Sequence, residues 1–262
     1  MILNNENYYS NEANKQYMSV SQYKQFRKCE AMAMAEIQGE WKKPKSTALL
    51  VGSYVDSWFE GTLAEFRLEN PEIFKKDGTL KADYIQADEI IRKLKDDSIF
   101  MDYMSGEKQR IFTRELFGVP WKIKIDSLHP DKIVDLKIMA SMDRVMGKSF
   151  VEHWGYDLQM AVYSYVQGDS LDTYLAVATK QKEMDKEIIH VPEWRREELL
   201  DEIERFLPHI IDVKSGKLEP ERCGVCEYCR ATKKIKEPID FELVGLSTAE
   251  RKALFGGLIY DK

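Results

Sequence analysis

Long apolar segments are missing from this sequence. No run of apolar residues comes near the 18 or so that a membrane-spanning helix requires. The N-terminal stretch MILNNENYYSNEANKQ also lacks the basic region and the apolar region of a secretion signal. We therefore expect an intracellular, cytoplasmic protein with no membrane contact.

An excess of positive charge is missing too. The 262 residues contain 39 Lys and Arg against 45 Asp and Glu, which leaves a formal net charge of −6. Binding to nucleic acid through overall basicity is therefore not expected, so any such function must depend on a local site. The length is sufficient for one large domain or two small ones with a buried core.

Two common classes of site have no motif here. The four histidines stand alone at positions 129, 153, 190 and 209, without the H-E-x-x-H or H-x-H spacing of a zinc hydrolase. The sequence also contains no G-x-x-x-x-G-K-[ST] motif, so we do not expect an ATPase.

Cysteine is scarce but clustered. Cys29 stands alone, whereas Cys223, Cys226 and Cys229 follow one another in RCGVCEYCR. In a reducing compartment such a cluster binds metal more often than it forms disulfides. The C-x2-C-x2-C spacing matches three ligands of a ferredoxin-type cluster, while four-thiolate zinc and unliganded buried thiols are the alternatives. Either metal would have a structural role, because it would close a very long loop.

The hydrophobic pattern predicts helices first and strands later. Helical spacing predicts helices over 19–38 (capped by Ser19 or Ser21), 46–70, 81–104, 143–167 and 192–215. Alternation predicts strands over 108–117, 121–128 and 132–138, joined by the turns GVP and HPD, and another over 172–180. We predict a flexible tail over 1–18, a single mixed α/β (α+β) domain over 19–238 that includes the cysteine cluster, and a C-terminal tail over 239–262.

Charged residues share one face of two neighbouring predicted strands. Alternation places Lys122, Lys124 and Asp126 on one face of WKIKIDSL, and Asp135 with Lys137 on one face of KIVDLKI. Strands lie about 5 Å apart, so these side chains can converge. Two adjacent carboxylates require a proton or a cation between them, and oxygen ligands suit Mg²⁺ or Mn²⁺. A lysine there can activate water, although the alternative is a solvated surface ion pair.

This arrangement resembles the core motif of the PD-(D/E)XK nuclease superfamily. Asp126 is followed, after eight residues, by the Asp-Leu-Lys stretch at 135–137. The literal Pro-Asp dipeptide at 130–131 lies in the predicted turn, where both residue types are expected for backbone reasons. It is also too close to the next strand for the chain to return, so Asp126 is the preferred first carboxylate.

Two flanking helices extend the resemblance. In GYDLQMAVYSYV, Gln159 and Tyr163 resemble the Q-x-x-x-Y element of the RecB, RecE and lambda-exonuclease branches; otherwise they are a surface amide and a core aromatic. LLVGSYVDSWFEG resembles the helix that carries G-x-x-x-H, with Asp56 in place of the metal-binding histidine and Glu60 one turn later. Glu107 is a further candidate as an outer or second-metal carboxylate.

The cysteines also resemble those of the iron–sulfur nucleases of this superfamily, the AddB type and the CRISPR-associated exonucleases. The resemblance implies a [4Fe–4S] cluster held by Cys29 and the C-terminal triplet. The last spacing is shorter here than is usual in those nucleases, so zinc stays an alternative.

The resemblance implies a restriction-endonuclease-like core, with a central mixed sheet flanked by helices. It implies that Asp126, Asp135 and the backbone carbonyl of Leu136 hold Mg²⁺ or Mn²⁺, while Lys137 orients the attacking water. Gln159 and Tyr163 would support the site or contact the DNA backbone.

The implied activity is a RecE-like DNA exonuclease of phage recombination or DNA end processing. DNA is the expected partner, with a phage single-strand annealing protein and a homo-oligomer as further expectations. The alternatives are an inactive nuclease-fold module that binds DNA or docks a partner, and an endonuclease on the same core.

Overall fold

The computed structural model of the chain describes residues 1–42, 46–235 and 237–255. They fall into two compact units, where the sequence predicts a single domain over 19–238. The first, here called the sheet unit, contains residues 2–5 and 46–202. The second, called the cysteine unit, contains Met1, residues 6–42 and the described residues from 203 onwards.

The strands all lie in the sheet unit. They are β1 (Arg110–Leu116), β2 (Val119–Ile125), β3 (Ser127–Leu128), β4 (Lys132–Met139), β5 (Asp172–Thr179) and β6 (Lys186–His190). β1 and β2 form an antiparallel pair, and the other strands form a sheet in the order β3-β4-β5-β6. Only β4 and β5 are parallel, so this second sheet is mixed, as expected. β6 was not predicted.

The helices flank the sheet or build the cysteine unit. They are α1 (Asn11–Gln16), α2 (Val20–Lys28), α3 (Glu30–Gln38), α4 (Thr47–Glu60), α5 (Leu63–Glu69), α6 (Ala82–Lys95), α7 (Ser98–Tyr103), α8 (Phe150–Trp154), α9 (Tyr156–Gln167), α10 (Glu193–Lys214), α11 (Glu227–Ala231) and α12 (Thr248–Phe255). The boundary between the units falls within α10. Within the described part of the chain, no helix is long and apolar enough to cross a membrane.

Four predicted helices are broken into shorter ones, and backbone conformation explains three of the breaks. Gly61 and Gly155 adopt left-handed conformations, with φ of 80° and 62°, and end α4 and α8. Glycine is the residue that tolerates this conformation best, so it ends helices efficiently. The predicted helix over 19–38 breaks at Cys29, which is extended (φ −166°, ψ 106°) and separates α2 from α3. The predicted helix over 81–104 is also divided, into α6 and α7.

The hairpin between β1 and β2 turns one residue earlier than predicted. Leu116 pairs with Val119, so the loop is Phe117–Gly118 rather than GVP. Both loop residues have positive φ (52° and 74°), as a type I′ turn requires, and this twist matches that of the strands. Pro120 lies within β2.

The core of the sheet unit lies on both faces of β4 and β5. Val134 and Leu136 pack with Ala176 and Ala178 beneath α4 and α6. The opposite face carries Leu175 and Val177, which pack with Phe150 of α8 and Met160 of α9. In the parallel register Asp135 lies beside Leu175 and Lys137 beside Val177, so both charged residues belong to the α9 face.

The predicted flexible tail is folded in the cysteine unit. Ser10 caps α1, and Ala13 and Met18 are fully buried. The Lys214 amino group, at the end of α10, donates to the carbonyl oxygens of Asn14 and Tyr17 and to Gln22 Oε1. The predicted C-terminal tail contains α12, and its residues 256–262 lie outside the described part of the chain.

Candidate active site

The first two carboxylates meet where the chain passes from one sheet to the other. Asp126 occupies the bend between β2 and β3. Ser127 pairs with Val134, and one further step in this antiparallel register places Asp126 opposite Asp135. Asp126 Oδ2 also accepts a hydrogen bond from the Leu136 backbone N–H at 2.9 Å. The predicted convergence of these two residues therefore follows from the strand register.

Asp135 is held from two sides within the sheet unit. Its side chain is almost fully buried, and Gln159 Nε2 donates to Asp135 Oδ1 at 2.6 Å. Its second oxygen forms an ion pair with the Lys137 amino group. Lys137 also lies 4.9 Å from the centre of the Tyr156 ring, a cation–π contact. The Lys137 amino group thus contacts one carboxylate and one aromatic face.

Helix α4 brings a second acidic pair to this site. Burial raises the pKa of Asp56 to about 9, with further contributions from the charge of Asp126 and a hydrogen bond with Glu60. Glu60 lies one turn after Asp56 on the same helix and shares this hydrogen bond, so Asp56 interacts with the core motif directly and Glu60 lies beside Asp56.

The electrostatics of the core motif oppose ionisation of its first carboxyl group. Burial raises the pKa of Asp126 to about 7, the Asp135 charge adds to this, and Lys137 acts in the opposite direction. Burial alone would lower the pKa of Lys137, but the charges of Asp135 and Asp126 outweigh it, so this pKa is raised. The carboxyl groups of Asp56, Asp126 and Asp135 thus crowd one another, and the charge of Lys137 only partly compensates for their repulsion.

Two predicted residues lie differently from this group. Glu107 has an exposed side chain that forms an ion pair with Arg110, and its backbone pairs with Leu128. Tyr163 is partly buried and packs against the apolar cluster beneath α9. Gln159 thus bonds directly to a residue of the core motif, whereas Tyr163 belongs to the apolar packing beside the site.

Three residues near the site were not predicted. Lys108 is partly buried, and this burial lowers its pKa. The negative charges of Asp126, Asp56 and Glu60 act in the opposite direction but do not outweigh burial. Nothing in its local sequence indicates this position.

Gln109 is the second unpredicted residue. It adopts a left-handed conformation (φ 52°) that non-glycine residues rarely adopt, and its Nε2 lies 3.4 Å from Asp126 Oδ1. Its Oε1 is buried and has no hydrogen-bond partner among the described residues. The third residue, Tyr156, precedes Gln159 by three positions, so the helical stripe of Gln159 and Tyr163 was a usable signal for it.

The four cysteines come together in the cysteine unit. Their sulfur atoms all lie within 4.8 Å of one another, and Cys29 and Cys229 are buried. Burial raises the pKa of Cys29 to about 12. For Cys223 burial also opposes ionisation, but hydrogen bonds from the backbone N–H groups of Val225 and Cys226 outweigh it and lower the pKa to about 7. The grouping of one distant and three clustered thiols is as predicted.

Comparison with known proteins identifies the family. Residues 19–232 match the profile of a family described as "PDDEXK-like domain of unknown function (DUF3799)". The chain belongs to this PDDEXK-like family. The match covers most of the sequence and confirms the resemblance found from the motifs.

A solved structure is similar to this PDDEXK-like protein over nearly its whole length. It is a crystal structure of a protein from Eubacterium rectale described as a "putative exonuclease". The two share 49% sequence identity with a TM-score of 0.90, over 94% of this chain and 99% of the other. No curated protein matches the chain. The fold class is therefore confirmed, and both findings support a nuclease.

Proposed function

We propose that this PDDEXK-like protein is a divalent-metal-dependent DNA exonuclease that hydrolyses phosphodiester bonds. The observation that carries the proposal is the convergence of Asp126, Asp135 and Lys137 around the buried Asp135 carboxylate, with Gln159 hydrogen-bonded to Asp135. Family membership agrees with a nuclease, but the particular reaction is inferred from the side chains.

The donor set fits Mg²⁺ or Mn²⁺. The half-buried carboxyls of Asp56 and Asp126 have raised pKa values because desolvation and mutual repulsion disfavour their charged forms. A divalent cation between them would remove that penalty, and hard oxygen ligands are those that Mg²⁺ and Mn²⁺ prefer. When bound, the metal would polarise the scissile phosphate and lower the pKa of a water molecule.

The backbone carbonyl of Leu136 is a further ligand in this proposal. The N–H and C=O of one strand residue point to the same side of the strand. The Leu136 N–H donates to Asp126 Oδ2, so its carbonyl oxygen would face the same side of β4 as Asp126. Asp126, Asp135 and this carbonyl would form the metal site, and Asp56 with Glu60 would complete it from α4. Glu107, paired with Arg110, is a weaker candidate.

The other residues have separate roles. Lys137 would orient the attacking water and stabilise charge that develops on the phosphate, since its amino group lies beside Asp135. Gln159 would hold Asp135 in position through its amide. Tyr163 would support the face of α9 that carries Gln159, or contact the DNA backbone.

The preference for an exonuclease has a specific support. The similar protein from Eubacterium rectale is described as a "putative exonuclease" and matches along its whole chain. A role in phage recombination inside the cell, beside a single-strand annealing protein and in a homo-oligomer, belongs to the same proposal. It rests on the resemblance to RecE-like nucleases. The proposal also includes a metal with a structural role, bound by the four cysteines.

The decisive experiment is digestion of a linear duplex labelled at either end, with Mg²⁺ or Mn²⁺. We expect progressive shortening of the linear DNA by the wild type and none by Lys137→Ala. Lys132→Ala is the matched control, because Lys132 lies on the same strand but pairs with Asp131. It should digest DNA as the wild type does.

Closed circular DNA separates the alternatives. Cleavage of the circle would contradict the exonuclease proposal and indicate an endonuclease. DNA binding without cleavage, with either metal and with several forms of DNA, would indicate the inactive binding module instead.

A further inference from the structure

The separations between the cysteine sulfur atoms are short. Cys29 Sγ lies 3.7 Å from Cys229 Sγ, and Cys223 Sγ lies 4.0 Å from Cys229 Sγ. With Cys226 included, every pair lies within 4.8 Å. These distances discriminate between the metal centres that four thiolates can hold.

One tetrahedral ion accounts for these separations. A zinc–thiolate bond is about 2.3 Å long, so four sulfurs at the corners of a tetrahedron stand about 3.8 Å apart. The separations of 3.7 and 4.0 Å lie at this value. The four sulfurs need only small adjustments to become equidistant from a single ion.

A [4Fe–4S] cluster does not fit the same arrangement. Each of its cysteines binds a different iron, and the four irons occupy separate corners of the cluster. With metal–sulfur bonds of similar length, the ligand sulfurs must stand farther apart by one full iron–iron distance. No two of the four sulfurs are more than 4.8 Å apart, which is only about 1 Å more than the separation around a single ion. This difference of about 1 Å is too small to be the distance between two metal atoms.

We propose that Cys29, Cys223, Cys226 and Cys229 hold one tetrahedral metal ion, zinc, instead of the iron–sulfur cluster that the resemblance implies. Soft thiolate ligands in tetrahedral geometry select zinc over harder divalent cations. A set of four protein ligands leaves no open position, so the ion has a structural role.

The surroundings suit a closed site. Cys29 and Cys229 are each only 3% exposed, and Cys226 Sγ accepts the backbone N–H of Cys229 at 3.4 Å. Such N–H donors offset the negative charge that four thiolates leave around a divalent ion. Trp41 and Tyr228 pack against this cluster and meet each other edge to face, with their ring centres 5.5 Å apart.

The backbone conformation at Cys29 also suits a metal site. Cys29 is the residue before α3, a position where serine, threonine, aspartate or asparagine normally caps a helix. Its side chain makes no capping hydrogen bond, and its sulfur faces Cys229 instead. The helix break thus directs Cys29 to the other sulfurs, and the ion would join positions 194 residues apart in the sequence.

The metal content of the wild-type protein tests this proposal without any variant. The protein is purified without oxygen from cells supplied with both iron and zinc, and its zinc, iron and acid-labile sulfide are measured. We expect a single zinc per chain and no labile sulfide. Replacement by Co²⁺ should produce the intense visible bands of a tetrahedral thiolate site.

Variants locate the ion. Cys229→Ser should lose most of the zinc, whereas Lys137→Ala, in the sheet unit, should retain it. Iron and labile sulfide in equal amounts would overturn the proposal, as would one iron without sulfide, or a wild type that binds neither zinc nor Co²⁺. The DNA digestion assay is a separate readout, so failure here would leave the nuclease proposal standing.

Discussion

Gln159 donates a hydrogen bond from Nε2 to Asp135 Oδ1 over 2.6 Å and so connects helix α9 to strand β4 at the candidate active site. Asp135 is otherwise buried beside Lys137 and opposite Asp126. The amide therefore determines which oxygen of Asp135 remains for Lys137 and for a metal ion.

Loss of this hydrogen bond should impair catalysis more than folding. Gln159→Ala is expected to reduce DNA digestion by about 10–100-fold, the effect typical of residues that orient a metal ligand. Gln167→Ala on the same helix is the control, because Gln167 bonds to the exposed Asp169. Digestion rates at several Mg²⁺ concentrations will show whether metal affinity falls too. Equal activity of both variants would contradict the role of Gln159.

The choice of Asp126 over the literal Pro-Asp dipeptide can be tested with two matched variants. Asp126→Asn should abolish digestion, since it removes a charged ligand from the site. Asp131→Asn should leave digestion unchanged, because Asp131 is exposed and pairs with Lys132. The assay is digestion of end-labelled duplex by each protein. The reverse outcome would assign the motif to the dipeptide.

Stability without metal should fall as the pH rises. The pKa of Asp126 is about 7 in the folded protein against an ordinary 3.8, so folding favours its protonated form. This contribution is fully present below pH 3.8 and is lost as the pH rises through about 7. Mg²⁺ competes with that proton, so the increase in Tm that Mg²⁺ causes should be larger at pH 8 than at pH 6. Thermal unfolding of the wild type and Asp126→Asn measures both effects, and an identical pH response of the two proteins would refute this explanation.

Gln109 combines a left-handed backbone with a bond to Asp126, and two substitutions separate these features. Both Gln109→Ala and Gln109→Gly remove the amide, so both should reduce digestion, by about 10-fold or more. Glycine accepts positive φ more readily than alanine, so Gln109→Gly should be the more stable, by about 1 kcal/mol or more. Denaturant unfolding and digestion assays check the two statements. Full activity of the glycine variant would exclude a positioning role.

Removal of metal from the cysteines should loosen α12. The Thr248 N–H donates to the Cys223 carbonyl oxygen at 2.9 Å, and the Thr248 hydroxyl donates to the Arg222 carbonyl oxygen at 2.6 Å. The helix is thus attached to the loop that carries the first clustered cysteine. Chelation should make residues near α12 more sensitive to limited proteolysis, while cleavage within the sheet unit stays unchanged. Protection of α12 in the chelated protein would contradict this coupling.

The amino-acid sequence alone determined the family, the mixed sheet class and the main members of the candidate site. Strand alternation has a period of two residues, so the sequence shows which side chains of β4 share a face with Asp135 and Lys137. Helical spacing likewise linked Gln159 to Tyr163, and the cysteine spacing indicated a shared site. These are short-range relationships that local backbone geometry decides.

Tertiary structure alone decided the rest. Hydrophobic periodicity continues across Gly61 and Cys29, so it did not reveal that the predicted helices break there. Lys108 and Gln109 join the site through contacts with residues distant in sequence, and no local pattern encodes such contacts. The sulfur separations have the same origin, because the positions of Cys29 and Cys229 depend on the packing of segments 200 residues apart. Spacing in the sequence therefore showed that the cysteines belong together, but only their distances in the folded chain distinguish one ion from a cluster.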